Sequence, residues 1–165
     1  MFDYRRTALY LLLLFTLGCV KYSFKGALPS DLKTIAIPLF EDRSGWPGLQ
    51  EDLTTRVVDS FIKDNTLRVV NREEDADLIL RGVISSVDQR AVSIGGDETV
   101  KETQIWVNVQ VKCLNTHTNK PLWSGTVRHF GTVSGSGTLE EMDQAIKEAL
   151  DRIVEEILLN TTAAW

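Results

Sequence analysis

The sequence has little of what an enzyme or a disulfide-stabilised domain requires. It contains only two histidines and two cysteines among 165 residues. It has no HExxH or CxxC pair, no glycine-rich phosphate loop and no Gly-x-Ser-x-Gly nucleophile turn. We therefore expect a protein that is not an enzyme, with no catalytic residue and no metal site.

The sequence also lacks a hydrophobic run long enough to span a membrane. Its most apolar segment, residues 8–17, follows two arginines and precedes Gly18 and Cys19. A helix over residues 7–18 spans roughly 18 Å, well short of a hydrocarbon core of ~30 Å. A basic start, a short apolar centre and a small residue at the end are typical of an export signal, which we predict over residues 1–18.

Negative charge exceeds positive charge in this chain. Eighteen Lys and Arg oppose 23 Asp and Glu, which gives a net charge of −5. The predicted signal contains Arg5, Arg6 and Asp3, a net +1, so the remainder carries −6. An acidic chain disfavours non-specific binding to nucleic acid, and an anionic ligand needs a local basic patch.

The 147 residues that follow the signal are enough for one domain with a sizeable core. We predict a polar tether over 19–31, a single domain over 32–160 and a short tail over 161–165. Apolar periodicity predicts strands over 32–40, 66–71, 77–90, 103–114 and 121–133, and helices over 49–63 and from Thr138 onward. Residues 41–48 have the composition of a turn-rich loop.

This order of elements predicts an α+β fold. Residues 103–114 alternate most cleanly, with Ile105, Val107 and Val109 on one face and Trp106 on the other. A sheet with one apolar and one polar face is covered on one side only. We therefore expect a two-layer sandwich, in which two helices pack on one face of a mixed four- to five-stranded sheet.

The uncovered face of that sheet carries the candidate binding residues. Counting by two along the strands places these side chains there: Arg68, Arg81, Trp106, Lys112 and Arg128. Arginine presents a bidentate fork to phosphate, so such a surface could bind a phosphorylated amphiphile. The alternative is that these are ordinary solvated side chains of a half-exposed sheet.

Thr16 to Cys19 resembles the bacterial lipobox. The resemblance implies a diacylglycerol on the Cys19 thiol, cleavage before Cys19 and an N-acyl chain such as palmitate on the new amine. Two or three chains anchor a protein firmly. Val20 stands where inner-membrane retention uses Asp, which favours the outer membrane. The alternative is an ordinary signal with a chance cysteine. With Cys19 lipidated, Cys113 has no partner within the chain, and we expect it to be a buried apolar residue.

The mature part resembles a known family. The chain is similar to LptE-type lipopolysaccharide-assembly lipoproteins in these segments: Cys19–Gly26, Leu28–Ser30, Lys33–Phe40, Leu53–Thr55, Leu67–Val70 and Ala76–Gly82. The resemblance implies a non-enzymatic lipoprotein on the periplasmic side of the outer membrane. It implies that the protein plugs the LptD β-barrel, helps deliver lipopolysaccharide, and needs no cofactor beyond its covalent lipid.

Other periplasmic lipoproteins share one part of this pattern. Activators of peptidoglycan synthases and subunits of curli-type secretion pores also pair an Ile-Ala-Ile-Pro strand with an Asp-Arg-Ser turn, as Ile35–Pro38 and Asp42–Ser44 do here. A pore subunit needs a long insertion that forms barrel strands, and Gln89–Lys101 is too short for one. Either function remains an alternative to lipopolysaccharide assembly.

Overall fold

The computed structural model describes residues 28–94 and 100–162; the predicted signal, Cys19 and most of the tether lie outside these ranges. The elements in chain order are β1 (Thr34–Ala36), β2 (Glu41–Asp42), α1 (Leu49–Asp64), β3 (Arg68–Val70), β4 (Leu78–Ile94), β5 (Val100–Asn115), β6 (Lys120–Ser134) and α2 (Leu139–Thr162). One turn of 3-10 helix, Glu73–Asp75, connects β3 to β4.

The described strands form one mixed sheet. Their order is β3-β1-β4-β5-β6, and β2 pairs with β4 beyond the end of β1. Strand β1 is parallel to β3 and β4, whereas β4, β5 and β6 are joined antiparallel. Both helices share a single apolar core with the sheet. The predicted α+β fold is therefore confirmed, with β2 as an additional strand.

The predicted first strand, residues 32–40, is interrupted in the structure. Its pairing with β4 stops at Ala36 and resumes at Glu41, where β2 begins within a segment predicted to be a loop. Five steps along this segment match four along β4, so it contains one extra residue. Pro38 lies in this interruption. Proline has no backbone N–H, so it cannot donate a hydrogen bond to a neighbouring strand, and the pairing breaks here.

Strand β5 provides the centre of the core. Ile105, Val107, Val109 and Cys113 are fully buried on one face, as the alternation predicts. Burial raises the pKa of the Cys113 thiol to about 12. The thiol is therefore protonated at neutral pH, and Cys113 is the buried apolar residue that we expected.

Helix α2 begins as predicted and ends later. Thr138 and Glu141 form a reciprocal capping box, in which the Thr138 backbone N–H donates to the Glu141 carboxylate at 2.7 Å. The helix continues to Thr162, two residues into the predicted tail. Thr161 is fully buried, and its hydroxyl accepts a hydrogen bond from the Trp123 indole at 3.1 Å. This contact with β6 holds the last turn in place.

Helix α2 lies unusually close to β6 at Gly131. A Cβ atom at this position would lie 2.6 Å from both the carbonyl carbon and the Cα of Ala145, and nearer still to its carbonyl oxygen. Only glycine allows the helix backbone to approach the strand this closely. The close approach positions the part of β6 that carries the candidate site described below.

Asp77 joins three segments at the start of β4. Its Oδ2 accepts hydrogen bonds from the backbone N–H groups of Lys33 and Thr34, at 2.8 and 3.0 Å, and from the Thr34 hydroxyl. Its Oδ1 lies 2.9 Å from Nε2 of His117 in the β5–β6 hairpin. Burial alone would raise the pKa of this carboxyl, but the hydrogen bonds outweigh it and lower the pKa below its usual value.

Candidate functional site

The polar face of β4, β5 and β6 is the candidate site, and we name it the open face. Neighbouring side chains form five rows across the three strands, in register. The rows are Arg81-Lys112-Ser124, Val83-Gln110-Thr126, Ser86-Asn108-Arg128, Asp88-Trp106-Phe130 and Arg90-Gln104-Thr132. The first and last rows lie at opposite ends of this face.

A β-bulge in β4 decides which residues reach the open face. The register shifts between Ile84 and Ser86, which leaves Ser85 as an extra residue. Counting by two from Arg81 places Gln89 on the open face. In the structure Gln89 instead contacts Met142 of α2, and Arg90 takes its place. Arg90 was therefore missed, because alternation in the sequence carries no signal for the bulge.

Trp106 is the centre of a basic and aromatic cluster. The guanidinium carbon of Arg128 lies 4.0 Å from the centre of the indole ring, and that of Arg90 lies 5.7 Å from it. The Phe130 ring packs against Trp106 with a centroid distance of 4.5 Å. Arg90 of β4 and Arg128 of β6 therefore both make cation–π contacts with the same indole.

Hydrogen bonds fix the side chains around this cluster. The Trp106 indole N–H donates to Oε1 of Gln104 at 3.0 Å. Asp88 lies opposite Trp106, but its Oδ2 accepts hydrogen bonds from the Ser86 hydroxyl and the Asn108 amide, both at 2.9 Å. The nearby carboxylate is therefore bound to neutral donors rather than to an arginine.

The opposite end of the open face has a different character. Arg81 is paired with Glu73 of the 3-10 helix, with 2.6 Å between nitrogen and oxygen. Lys112 lies directly across from Arg81. Beside them is a shallow groove of ≈ 530 Å³ whose lining includes Pro38 and Leu39, and the Leu39 side chain is 57% exposed. This end combines one compensated charge, one lysine and an apolar wall.

The structure therefore divides the five predicted residues among three places. Trp106 and Arg128 are in direct contact. Arg81 and Lys112 are cross-strand neighbours at the other end of the face. Arg68 lies on β3, the edge strand, with β1 between it and β4. The predicted residues thus form two separate groups on the open face, and Arg68 belongs to neither.

Neither a metal site nor a membrane-spanning helix is found in the described part of the chain. Within residues 28–94 and 100–162, no group of three or more His, Cys, Asp or Glu side chains is arranged to hold a metal ion. In the same ranges, no helix combines the length and the apolar character that crossing a membrane requires.

Comparison with known proteins gives a clear result for sequence families and for fold. The family model described as lipopolysaccharide-assembly, LptE, matches residues 32–161. Lipoprotein B from Nitrosomonas europaea has a TM-score of 0.53 and 22% identity, over 79% of this chain and 81% of that one. Rare lipoprotein B from Shewanella oneidensis has a TM-score of 0.53 and 17% identity, over 76% of this chain and 92% of that one.

A third solved structure is similar in fold. Protein CT253 from Chlamydia trachomatis has a TM-score of 0.57 and 10% identity, over 78% of this chain and 97% of that one. At these identities the three structures establish the fold alone. A search of curated protein sequences finds no match.

Proposed function

Since this chain belongs to the lipopolysaccharide-assembly family LptE, we propose that it binds the outer-membrane β-barrel LptD and assists lipopolysaccharide assembly without catalysing a reaction. The observation that carries the proposal is the family match over residues 32–161, which includes every strand, the whole of α1 and all of α2 except its last residue. A partner-binding role also agrees with the sequence, which has only two histidines and two cysteines.

The charge distribution indicates which side of the domain an anionic ligand would approach. The two helices carry eleven acidic and four basic residues. The five rows of the open face carry four basic residues and one acidic residue, namely Arg81, Arg90, Lys112, Arg128 and Asp88, and a second acidic residue, Glu102, follows the last row on the same side of β5. An anionic ligand is therefore attracted to the open face and repelled by the helical layer. We propose that lipopolysaccharide binds at the open face.

Partner capture tests whether the protein binds the LptD barrel. Full-length protein is expected to co-purify with LptD from detergent-solubilised outer membranes, and its depletion should lower the amount of folded barrel, measured by heat-modifiable gel migration. Unchanged folded LptD after depletion would contradict the proposal. Recovery of a peptidoglycan synthase or a secretion pore in place of LptD would favour the alternatives.

We also propose that Cys19 carries the lipid anchor that holds the domain at the outer membrane. The Cys19→Ser variant should be lost from the outer-membrane fraction, because it lacks the acyl chains that supply most of the affinity for that membrane. The matched control is Cys113→Ser, which removes the buried thiol and should leave the protein in the membrane. An outer-membrane location for Cys19→Ser would contradict the anchor.

Charge reversal tests whether lipopolysaccharide binds at the open face. Changing Arg81, Lys112 and Arg128 together to Glu should weaken binding of purified lipopolysaccharide and reduce its dependence on salt. The control reverses three lysines outside the open face: Lys33, Lys63 and Lys147. Arg68 stays unchanged in both variants because it lies on the edge strand. Equal binding by the two triple variants would assign lipopolysaccharide to another surface.

A further inference from the structure

We propose that the outer edge of β6, from Ser124 to Arg128, binds an extended segment of the partner protein as an added β-strand. This stretch is named the free edge. The inference rests on the proposed function only for the identity of the partner, LptD. The free edge itself is a feature of the β6 backbone, and it is distinct from the open face, which is formed by side chains.

The register of β5 and β6 fixes the direction of the backbone groups along this edge. The carbonyl oxygen of Asn108 on β5 accepts a hydrogen bond from the Ser85 hydroxyl of β4 at 3.0 Å, so the Asn108 backbone is directed toward β4. Arg128 lies opposite Asn108, and its own N–H and C=O groups therefore point away from β5. Phe130, two residues further, has the same orientation, because its carbonyl oxygen accepts a hydrogen bond from Arg152 of α2.

The outward backbone groups of the free edge have no partner in the described structure. Backbone direction alternates along a strand, so Ser124 and Thr126 point outward as Arg128 does. Within residues 28–94 and 100–162, the N–H and C=O groups of these three residues make no hydrogen bond. A row of such groups at the spacing of a β-strand is complementary to another extended backbone. The edge therefore specifies the chemistry of its occupant.

The structure blocks this edge on both sides of the free stretch. The Arg152 guanidinium donates to the Phe130 carbonyl at 3.1 Å and lies 5.8 Å from the centre of the Phe130 ring. At the other end, Pro121 has no backbone N–H, and Leu122 is an extra residue that interrupts the pairing with β5. Residues 124–126 between them are exposed. Proteins usually block exposed strand edges, so an unblocked stretch between two blocked ones indicates a site for another strand.

The surroundings of the free edge predict the side chains of the added strand. On the helical side, a Cβ atom at Gly125 would meet no atom within 4 Å. Leu159 of α2 is 60% exposed and lies on the same side of the helix as Glu156, which contacts His129 of β6 at 2.7 Å. On the other side, no Asp or Glu oxygen of the described residues lies within 4.0 Å of the Arg128 side-chain nitrogens. The added strand should therefore be apolar toward α2 and carry a carboxylate near Arg128.

Hydrogen exchange of the backbone amides tests the free edge without any substitution. In the isolated full-length protein, the amides of Ser124, Thr126 and Arg128 should exchange faster than those of Gly125 and Val127, which are directed toward β5. In the complex with LptD, exchange of the three fast amides should slow by at least about tenfold. Equal exchange along the strand in the isolated protein, or unchanged exchange in the complex, would overturn the inference.

Proline substitution provides matched variants. Thr126→Pro removes an outward N–H and places a ring on the free edge, while the pairing with β5 is kept. One control is Thr132→Pro, which makes the same change beyond Phe130. The other is Thr126→Val, which changes the side chain and keeps the N–H. Thr126→Pro should bind LptD at least about tenfold more weakly, and both controls should stay within about threefold of the wild type. An equal loss in Thr126→Val would assign recognition to the side chain and overturn the added strand.

These measurements separate failure of the inference from failure of the proposed function. Unchanged LptD binding by Thr126→Pro would overturn the added strand and leave the proposed function standing. Absence of LptD binding by the wild type would reject the proposed function and this occupant with it. Slow exchange of the three amides that instead grows with the concentration of the isolated protein would assign the free edge to a second copy of the chain and overturn LptD as its occupant.

Discussion

Gly131→Ala is the substitution for which the structure predicts the largest effect from the smallest change. The added methyl group would lie 2.6 Å from two backbone atoms of Ala145, whereas carbon atoms pack at roughly 3.5–4.0 Å. Helix α2 must therefore move away from β6 by about 1 Å, because backbone atoms cannot turn aside as a flexible side chain can.

The expected cost follows from two opposing terms. Overpacking a close contact of this kind costs about 3 kcal/mol, the upper end of the usual range. Replacing glycine also restricts the unfolded chain, which returns ~0.4–1 kcal/mol. The net loss is about 2 kcal/mol, which lowers Tm by roughly 4–8 °C for a domain of this size.

Gly125 on the same strand provides the matched control. A Cβ atom there meets no other atom within 4 Å, so Gly125→Ala should change Tm little or raise it by roughly 2 °C. Thermal unfolding of both full-length variants is followed by circular dichroism. A Tm for Gly131→Ala within roughly 2 °C of that for Gly125→Ala would refute the close approach of α2 to β6.

Gly131→Ala should also weaken ligand binding at the open face. Gly131 follows Phe130, whose carbonyl oxygen accepts a hydrogen bond from Arg152 of α2 at 3.1 Å. Displacing α2 pulls on this bond and shifts the ring that supports Trp106. Gly131→Ala should therefore bind lipopolysaccharide more weakly than Gly125→Ala at a temperature where both variants are folded.

Two further predictions concern single side chains. Asp77→Asn should lower the free energy of unfolding by about 1–3 kcal/mol at pH 7, because a partly buried acceptor of several hydrogen bonds loses its charge. Since the folded state lowers the pKa of Asp77, the stabilisation is present above ~pH 4 and disappears as pH falls through the folded-state pKa, so wild type and variant should converge in acid. Cys113 should react with a thiol reagent at pH 8 only after denaturation, since it is buried and its pKa is raised to about 12; fast labelling of the native protein would contradict its placement.

The core of this fold could be predicted because its signals are local. The alternation along residues 103–114 predicted which side of β5 is buried, and the side chains on that side from Ile105 to Cys113 are at most 3% exposed. Apolar periodicity predicted a helix from Thr138 onward, and α2 begins there, at the Thr138–Glu141 capping box. These patterns repeat at the period of the element itself, so they need no knowledge of distant residues.

The errors at the edges of elements have a different origin. The end of α2 was placed too early because Thr161 is polar, yet the structure buries it against Trp123, 38 residues away in sequence. β2 was missed because two residues become a strand only when β4 lies beside them. In both places a contact distant in sequence outweighed local composition.

The sequence by itself determined the class of fold, the buried side of β5 and the resemblance to the LptE family. Tertiary structure alone decided how the basic residues are grouped. The bulge at Ser85 exchanges Gln89 for Arg90, and the 3-10 helix brings Glu73 to Arg81. Alternation in the sequence predicts only on which face of a strand each side chain lies. Register, bulges and ion pairs depend on which segments pack next to each other, and that is settled by the free energy of the whole fold.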